Sequence, residues 1–134
     1  MKVRNVTAIC TLGLAILLAV YFAIVVRDAK RMAWHDRAKS GIRTIALYMD
    51  NCIEQSDDYP KDIHELAAQL AEDERKYLAL FVRDPWNTRY SWAVSSNGVL
   101  ISAEVCRQGL FPHQEMRQFF QRGEGRAQYH EQAR

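Results

Sequence analysis

The sequence predicts an α+β fold: a long N-terminal helix, one half apolar and one half amphipathic, packed against a small antiparallel β-sheet. Three observations predict it. Residues 6–26 form an apolar run without a single charge, apolar residues then recur at steps of three and four from Trp34 to Ile53, and Asn97-Gly98 separates two alternating segments. The composition is that of a folded chain. Of 134 residues, 49% are apolar and 25% charged, which excludes a wholly disordered protein, and 6 Gly with 3 Pro exclude a collagen-like one. The net charge of +2 gives no argument for a nucleic-acid partner. After Val26 the remaining 108 residues carry 16 basic and 16 acidic side chains, enough chain for one small core.

The 21 residues from Val6 to Val26 would span roughly 31 Å as a helix, the thickness of a bilayer's hydrocarbon core. A signal peptide is the rival reading, with Lys2 and Arg4 as its basic start. The run is longer than a usual signal core, however, and no clean Ala-x-Ala site follows it. An uncleaved anchor is therefore expected. Its orientation is open on charge alone. Lys2 and Arg4 flank one end, while Arg27, Lys30, Arg31, Arg37, Lys39 and Arg43 follow the other against Asp28 and Asp36. The positive-inside rule would hold the C-terminal part in the cytoplasm, but a basic stretch can also lie against anionic headgroups. The organisation read from the chain is a short flank at 1–5, a transmembrane helix at 6–26, an α+β head at 27–122 and a tail at 123–134.

Trp34, Ala38, Ile42, Ile45, Met49, Cys52 and Ile53 make one helical stripe, and only Gly41 interrupts residues 14–55, at a cost of about 1 kcal/mol relative to Ala. The helix is expected to end near Ser56. A loop through Asp57-Asp58 and Tyr59-Pro60 leads to a short helix with Asp62 and Glu65 as its capping pair and Ile63, Leu66, Ala67 and Leu70 as its apolar side. Residues 50–74 hold nine acids and only Lys61, which reads first as a solvated face and second as a site for a cation or basic partner.

Asn97-Gly98 as a two-residue turn would pair Val94 with Ile101, Trp92 with Ala103 and Tyr90 with Val105 on one face. Ser95 with Leu100, Ala93 with Ser102 and Ser91 with Glu104 would share the other, so apolar sorts from mostly polar. The apolar face needs a cover, and the stripe from Trp34 to Ile53 is the expected one. Gly109 and Pro112 mark a further loop. His113 to Arg122 is expected as a short helix using Met116, Phe119 and Phe120, followed by a frayed tail from Gly123.

An apolar helix with an amphipathic extension, Tyr59-Pro60, the Ile63/Leu66 helix, Tyr77-Leu78, and Asp84-Pro85-Trp86 leading to Tyr90 form an ordered set of parts. Over about residues 6–106 this set resembles the major pseudopilin of the type II secretion system, within the type IV pilin-like superfamily. The resemblance implies a pilin-like fold and an anchored structural or interaction subunit of a secretion or pilus-related system. It implies a bacterial inner-membrane location, a periplasmic head, and other pseudopilin or secretion-system subunits as partners beside the bilayer. The family reads Asp-Pro-Trp-Gly-x-Pro-Tyr where this chain has Asn87 for Gly and Arg89 for Pro, and Ser102-Ala103-Glu104 stands where a Gly-containing stretch would be. Two departures bear on function. Gly13 is followed by Leu14 and, at the fifth position, by Leu18, so the peptidase-processing signal and its Glu are absent, and no acid occurs before Asp28. The loop Cys106-Arg107-Gln108-Gly109 offers almost no carboxylate, so the family's calcium site is not expected. The alternative function is a standalone single-pass protein whose pilin-like head binds a partner without forming filaments.

Catalytic, cofactor and metal residues are expected to be none. Cys10, Cys52 and Cys106 form no Cys-x-x-Cys pair; His35, His64, His113 and His130 lack metal-ligand spacing; no Gly-x-Ser-x-Gly element positions a nucleophile. A Cys52–Cys106 disulfide would close a long loop, worth roughly 4 kcal/mol in the chain-entropy account, if the head faces an oxidising compartment and the second strand ends by Val105. Against it, a continued strand would turn Cys106 away from the core face that holds Cys52. Trp86 reads as a core plug at the base of the sheet.

Overall fold

The computed structural model describes residues 2–105 and 113–124. Its elements are α1 (Lys2–Ser56), α2 (Ile63–Gln69), α3 (Glu72–Val82), β1 (Thr88–Ser95), β2 (Gly98–Val105) and β3 (Glu115–Gln121). The strands form one antiparallel sheet in the order β1-β2-β3. The chain is thus α+β, one long N-terminal helix followed by a small three-stranded sheet. Contacts divide it into two units, residues 1–33 and 34–134. Cys106, the loop at Gly109 and Pro112, and the tail beyond Glu124 lie outside the described residues.

In the first unit, every described side chain from Thr7 to Ala33 is exposed apart from the partly covered Val26. This helix is long and apolar enough to cross a membrane, and none of its apolar window is buried by protein. Thr7 and Ala8 carbonyls accept the Thr11 hydroxyl, so that polar group is satisfied within the helix itself.

In the second unit the remainder of α1 behaves as its periodicity dictates. Trp34, Ala38, Ile42, Ile45, Met49, Cys52 and Ile53 are all buried. All of these but Ile53 meet Val99, Ile101, Ala103, Val105 and Phe120 of the sheet and Leu66, Leu70 and Leu78 of the shorter helices in one apolar core. The helix stops where Asp57 turns to a left-handed φ of 60° while its N–H still reaches the Ile53 carbonyl at 2.9 Å. The α2 start follows the expected chemistry. Asp62 accepts the N–H groups of His64 and Glu65 at 2.9 Å each, and Glu65 reaches back to the Lys61 N–H at 2.6 Å.

Helix α3 is an addition to the sequence reading, which took from this stretch only Tyr77-Leu78. Glu72, Asp73 and Glu74 fill its first turn, where the helix dipole favours acids, and Leu78 and Phe81 are its buried side. Arg37 of α1 donates to the Leu80 carbonyl at 2.7 Å and lies 4.7 Å above the Phe81 ring, fastening the end of α3 to α1.

Two expectations are corrected. Residues 113–122 do not form a helix; Glu115–Gln121 is strand β3, with Leu100 opposite Phe119 and Ala103 opposite Met116. Met116 and Phe120 are four apart, a spacing that a helix and a strand share. The open edge of β2 decides for the strand, which turns Phe119 to the other face, where it is 46% exposed. The hairpin also closes one residue earlier than expected. Ser96 and Asn97 form the loop, Ser95 faces Gly98, and Trp92 pairs with Ile101 rather than Ala103. The partner shifts by two positions, so each side chain keeps its expected face. Gly98 belongs to the strand because β3 passes very close: a Cβ there would collide with the Phe120 carbonyl and lie 3.0 Å from the Gln121 Cα. The sheet is one-sided, with Val99, Ile101, Ala103 and Val105 buried on one face of β2 and Arg89, Ser91 and Ala93 of β1 exposed on the other.

Candidate functional site

The Asp84-Pro85-Trp86-Asn87 segment is a tight turn built around one carboxylate. Asp84 Oδ1 accepts the N–H of Trp86 at 3.2 Å and of Thr88 at 2.8 Å, and its Oδ2 accepts the Thr88 hydroxyl. The Asn87 N–H closes the turn on the Asp84 carbonyl at 3.1 Å. Asn87 itself has φ 52°, a left-handed conformation that Asn tolerates better than most non-Gly residues. The Thr88 hydroxyl also accepts the Trp34 indole N–H at 3.1 Å. A buried relay, Trp34 to Thr88 to Asp84, therefore ties the turn to α1, and all three residues are buried. Trp86, expected as a plug, is partly buried and packs against the core.

Tyr90 follows two residues after Thr88 on the same face of β1. Its ring lies over Gly41, where a Cβ would stand 2.7 Å from Cζ and 2.9 Å from Cε1. The Gly in α1 is thus the socket for Tyr90. The hydroxyl has no hydrogen-bond partner among the described residues. Burial pushes its pKa up, with Asp84 adding to the shift and Arg37 opposing it.

Tyr59-Pro60 occupies the far end of the head. The Pro60 carbonyl accepts the Trp92 indole N–H at 2.7 Å, which fixes this loop to the middle of β1. A cleft of about 350 Å³ opens beside it, lined in part by Ile53, Asp57, Tyr59, Lys61, Val94 and Arg122. A neighbouring cleft of about 320 Å³ shares Ile53, Asp57 and Arg122 and adds Asp50 and Glu54. Arg122 stands 3.7 Å from Asp57, and Asp50 accepts the Gly123 N–H at 3.1 Å. Burial raises the Tyr59 phenol, helped by Asp50 and opposed by Arg122. The acids of residues 50–74 are therefore split between caps, backbone contacts, ion pairs such as Asp57 with Arg122 and Glu72 with Lys76, and solvent, and among the described residues no three His, Cys, Asp or Glu side chains converge as a metal set.

The residues singled out in the sequence fall into two groups. Asp84, Pro85, Trp86 and Tyr90 gather at α1, through Trp34 and Gly41; Tyr59 and Pro60 gather at β1, through Trp92. Cys52 is buried in the core and makes no bridge among the described residues, while Cys106 lies outside them. Burial raises the Cys52 thiol, with Glu74 adding to the shift, which is the wrong direction for a thiolate nucleophile. Sequence reasoning missed Thr88 and the pairing of Gly41 with Tyr90. The position of Gly41 within the buried stripe was the available signal.

No family model, curated protein or solved structure matches the chain.

Proposed function

We propose that this protein is a membrane-anchored, pseudopilin-like structural or interaction subunit of a type II secretion or type IV pilus-related system, held in a bacterial inner membrane with its head in the periplasm. The observation that carries the reading is the double use of α1. One continuous helix has an apolar half that no protein buries and a second half that is the floor of the sheet. The Asp84-Pro85-Trp86 turn clasps that floor through Thr88 and Trp34. Asn87 adds support: it stands where the resembled family carries Gly, and its φ of 52° is the conformation that Gly best supplies. In this reading α1 anchors and the head presents a surface; the work is associative and no side chain performs chemistry.

A second reading is favoured by one observation, the absence of any acid before Asp28. A buried acid in the membrane helix is costly and is kept where a neighbouring subunit answers it. Without it the chain would act as a standalone single-pass protein with a partner-binding head. A periplasm-dependent enzyme fused to the C-terminus tests the placement: activity supports both readings, and an inactive fusion refutes the periplasmic head. Co-expression with a prepilin peptidase and an intact-mass measurement separates them. A shortened, methylated N-terminus supports filament processing, and an unaltered mass supports the standalone protein.

A further inference from the structure

We propose that Arg27, Lys30 and Arg31 form a docking surface for anionic phospholipid headgroups. The inference rests on α1 spanning a bilayer and is independent of any role in secretion.

The apolar run ends at Val26, and its length matches the hydrocarbon core, so the next turns of helix stand at headgroup level. Arg27, Lys30 and Arg31 are spaced by three and four, which places them on one side of the helix, and all three are exposed. The only acid among residues 27–33 is Asp28, leaving this stretch with a net charge of +2. Asp28 lies 3.7 Å from the Arg27 guanidinium with both side chains more than half exposed, and a pair so hydrated is weak. Lys30 and Arg31 have no ion-pair partner among the described residues. Their long stems let the charged ends extend along the helix to the phosphates, and a guanidinium can hold two phosphate oxygens at once. A zwitterionic headgroup sets its own ammonium against these cations, whereas an anionic one does not. Charge complementarity and the adjoining apolar span therefore point to the same occupant, phosphatidylglycerol-type lipid.

The test reconstitutes the full chain in phosphatidylcholine vesicles carrying traces of spin-labelled phosphatidylglycerol or phosphatidylcholine. The readout is the share of each label slowed by contact with the protein. At low salt the parent should prefer the anionic label about five-fold, falling below about two-fold in about 0.5 M salt. The triple variant R27Q/K30Q/R31Q should lose most of that preference, while K2Q/R4Q at the opposite end should leave the greater part. Equal selection of the two labels by the parent, an unchanged preference in the triple variant, or a loss confined to K2Q/R4Q would each overturn the proposal. Co-flotation of the protein with the vesicles separates the causes. A chain that floats without preference lacks the headgroup site alone, and one that does not float refutes the membrane span and the site with it.

Discussion

Gly41→Ala should destabilise the head, although Ala is the better helix former. Intrinsic propensity favours Ala inside a helix by about 1 kcal/mol. Against that gain, the new methyl would stand 2.7 Å from Tyr90 Cζ and 2.9 Å from Cε1, and closer still to the hydroxyl. Ordinary carbon contacts need about 3.5–4.0 Å. The ring cannot simply retreat, because Tyr90 lies inside β1 opposite Ala103 and is pressed between strand and helix. Overpacking of this kind costs about 1–3 kcal/mol, and with two ring carbons and the hydroxyl oxygen inside contact distance the upper end applies, for a net loss of about 2 kcal/mol. Tyr90→Phe removes the nearest clashing atom, a hydroxyl without a partner, so this single change should stay within about 1 kcal/mol of the parent. G41A/Y90F should then recover at least half of the G41A loss. Urea unfolding of the full chain in detergent, followed by tryptophan fluorescence, reads the head alone, since the three tryptophans are Trp34, Trp86 and Trp92. The midpoint at constant slope is the measure. A G41A protein as stable as the parent would refute the socket.

Three further outcomes are expected in the same assay. Thr88→Val leaves the Trp34 indole N–H and one Asp84 oxygen without their hydroxyl partner, and should cost about 2 kcal/mol; a loss under about 0.5 kcal/mol would show that the relay is not what holds the turn. Gly98→Ala should destabilise by about 2 kcal/mol or more because its methyl meets rigid backbone of β3, whereas Asn97→Ala should change stability by less than about 0.5 kcal/mol; the reverse order would restore the Asn97-Gly98 turn. Folded-state pKa values of Tyr90 and Tyr59 lie above the ordinary 10.0 and that of Cys52 above 9.0, each chiefly through burial. Their contribution is complete below those unfolded values and is lost as pH rises through the folded ones. Urea midpoints should therefore fall between neutral pH and about pH 11, less steeply in Y90F; an identical fall in Y90F would remove Tyr90 from the cause.

Much of the head was legible because local patterning and global burial agree along α1. Every member of the Trp34–Ile53 stripe is buried, the helix ends at Ser56, and Asp62 with Glu65 opens α2 as their spacing indicates. The candidate site was half legible. The Asp84-Pro85-Trp86 turn could be read from its residues, but not that Thr88 would join its carboxylate to Trp34, 54 positions earlier. Nor could the socket at Gly41, since its place in the buried stripe marks only a missing side chain, which acquires meaning when Tyr90 arrives from β1.

The amino-acid order alone determined the apolar run, the buried stripe, the α2 cap and the face on which each hairpin side chain lies, because each depends on a period or on neighbours within a few positions. Tertiary structure decided the rest. Met116 and Phe120 fit a helix or a strand equally until the free edge of β2 offered hydrogen bonds to one of them. The hairpin turn moved from Asn97-Gly98 to Ser96-Asn97 because β3 lies so close that only a residue without a side chain can sit at position 98. Local chemistry chooses among conformations that an isolated segment could adopt, and the backbone of another segment selects the one that pairs the backbone groups at its edge and leaves no atoms overlapping.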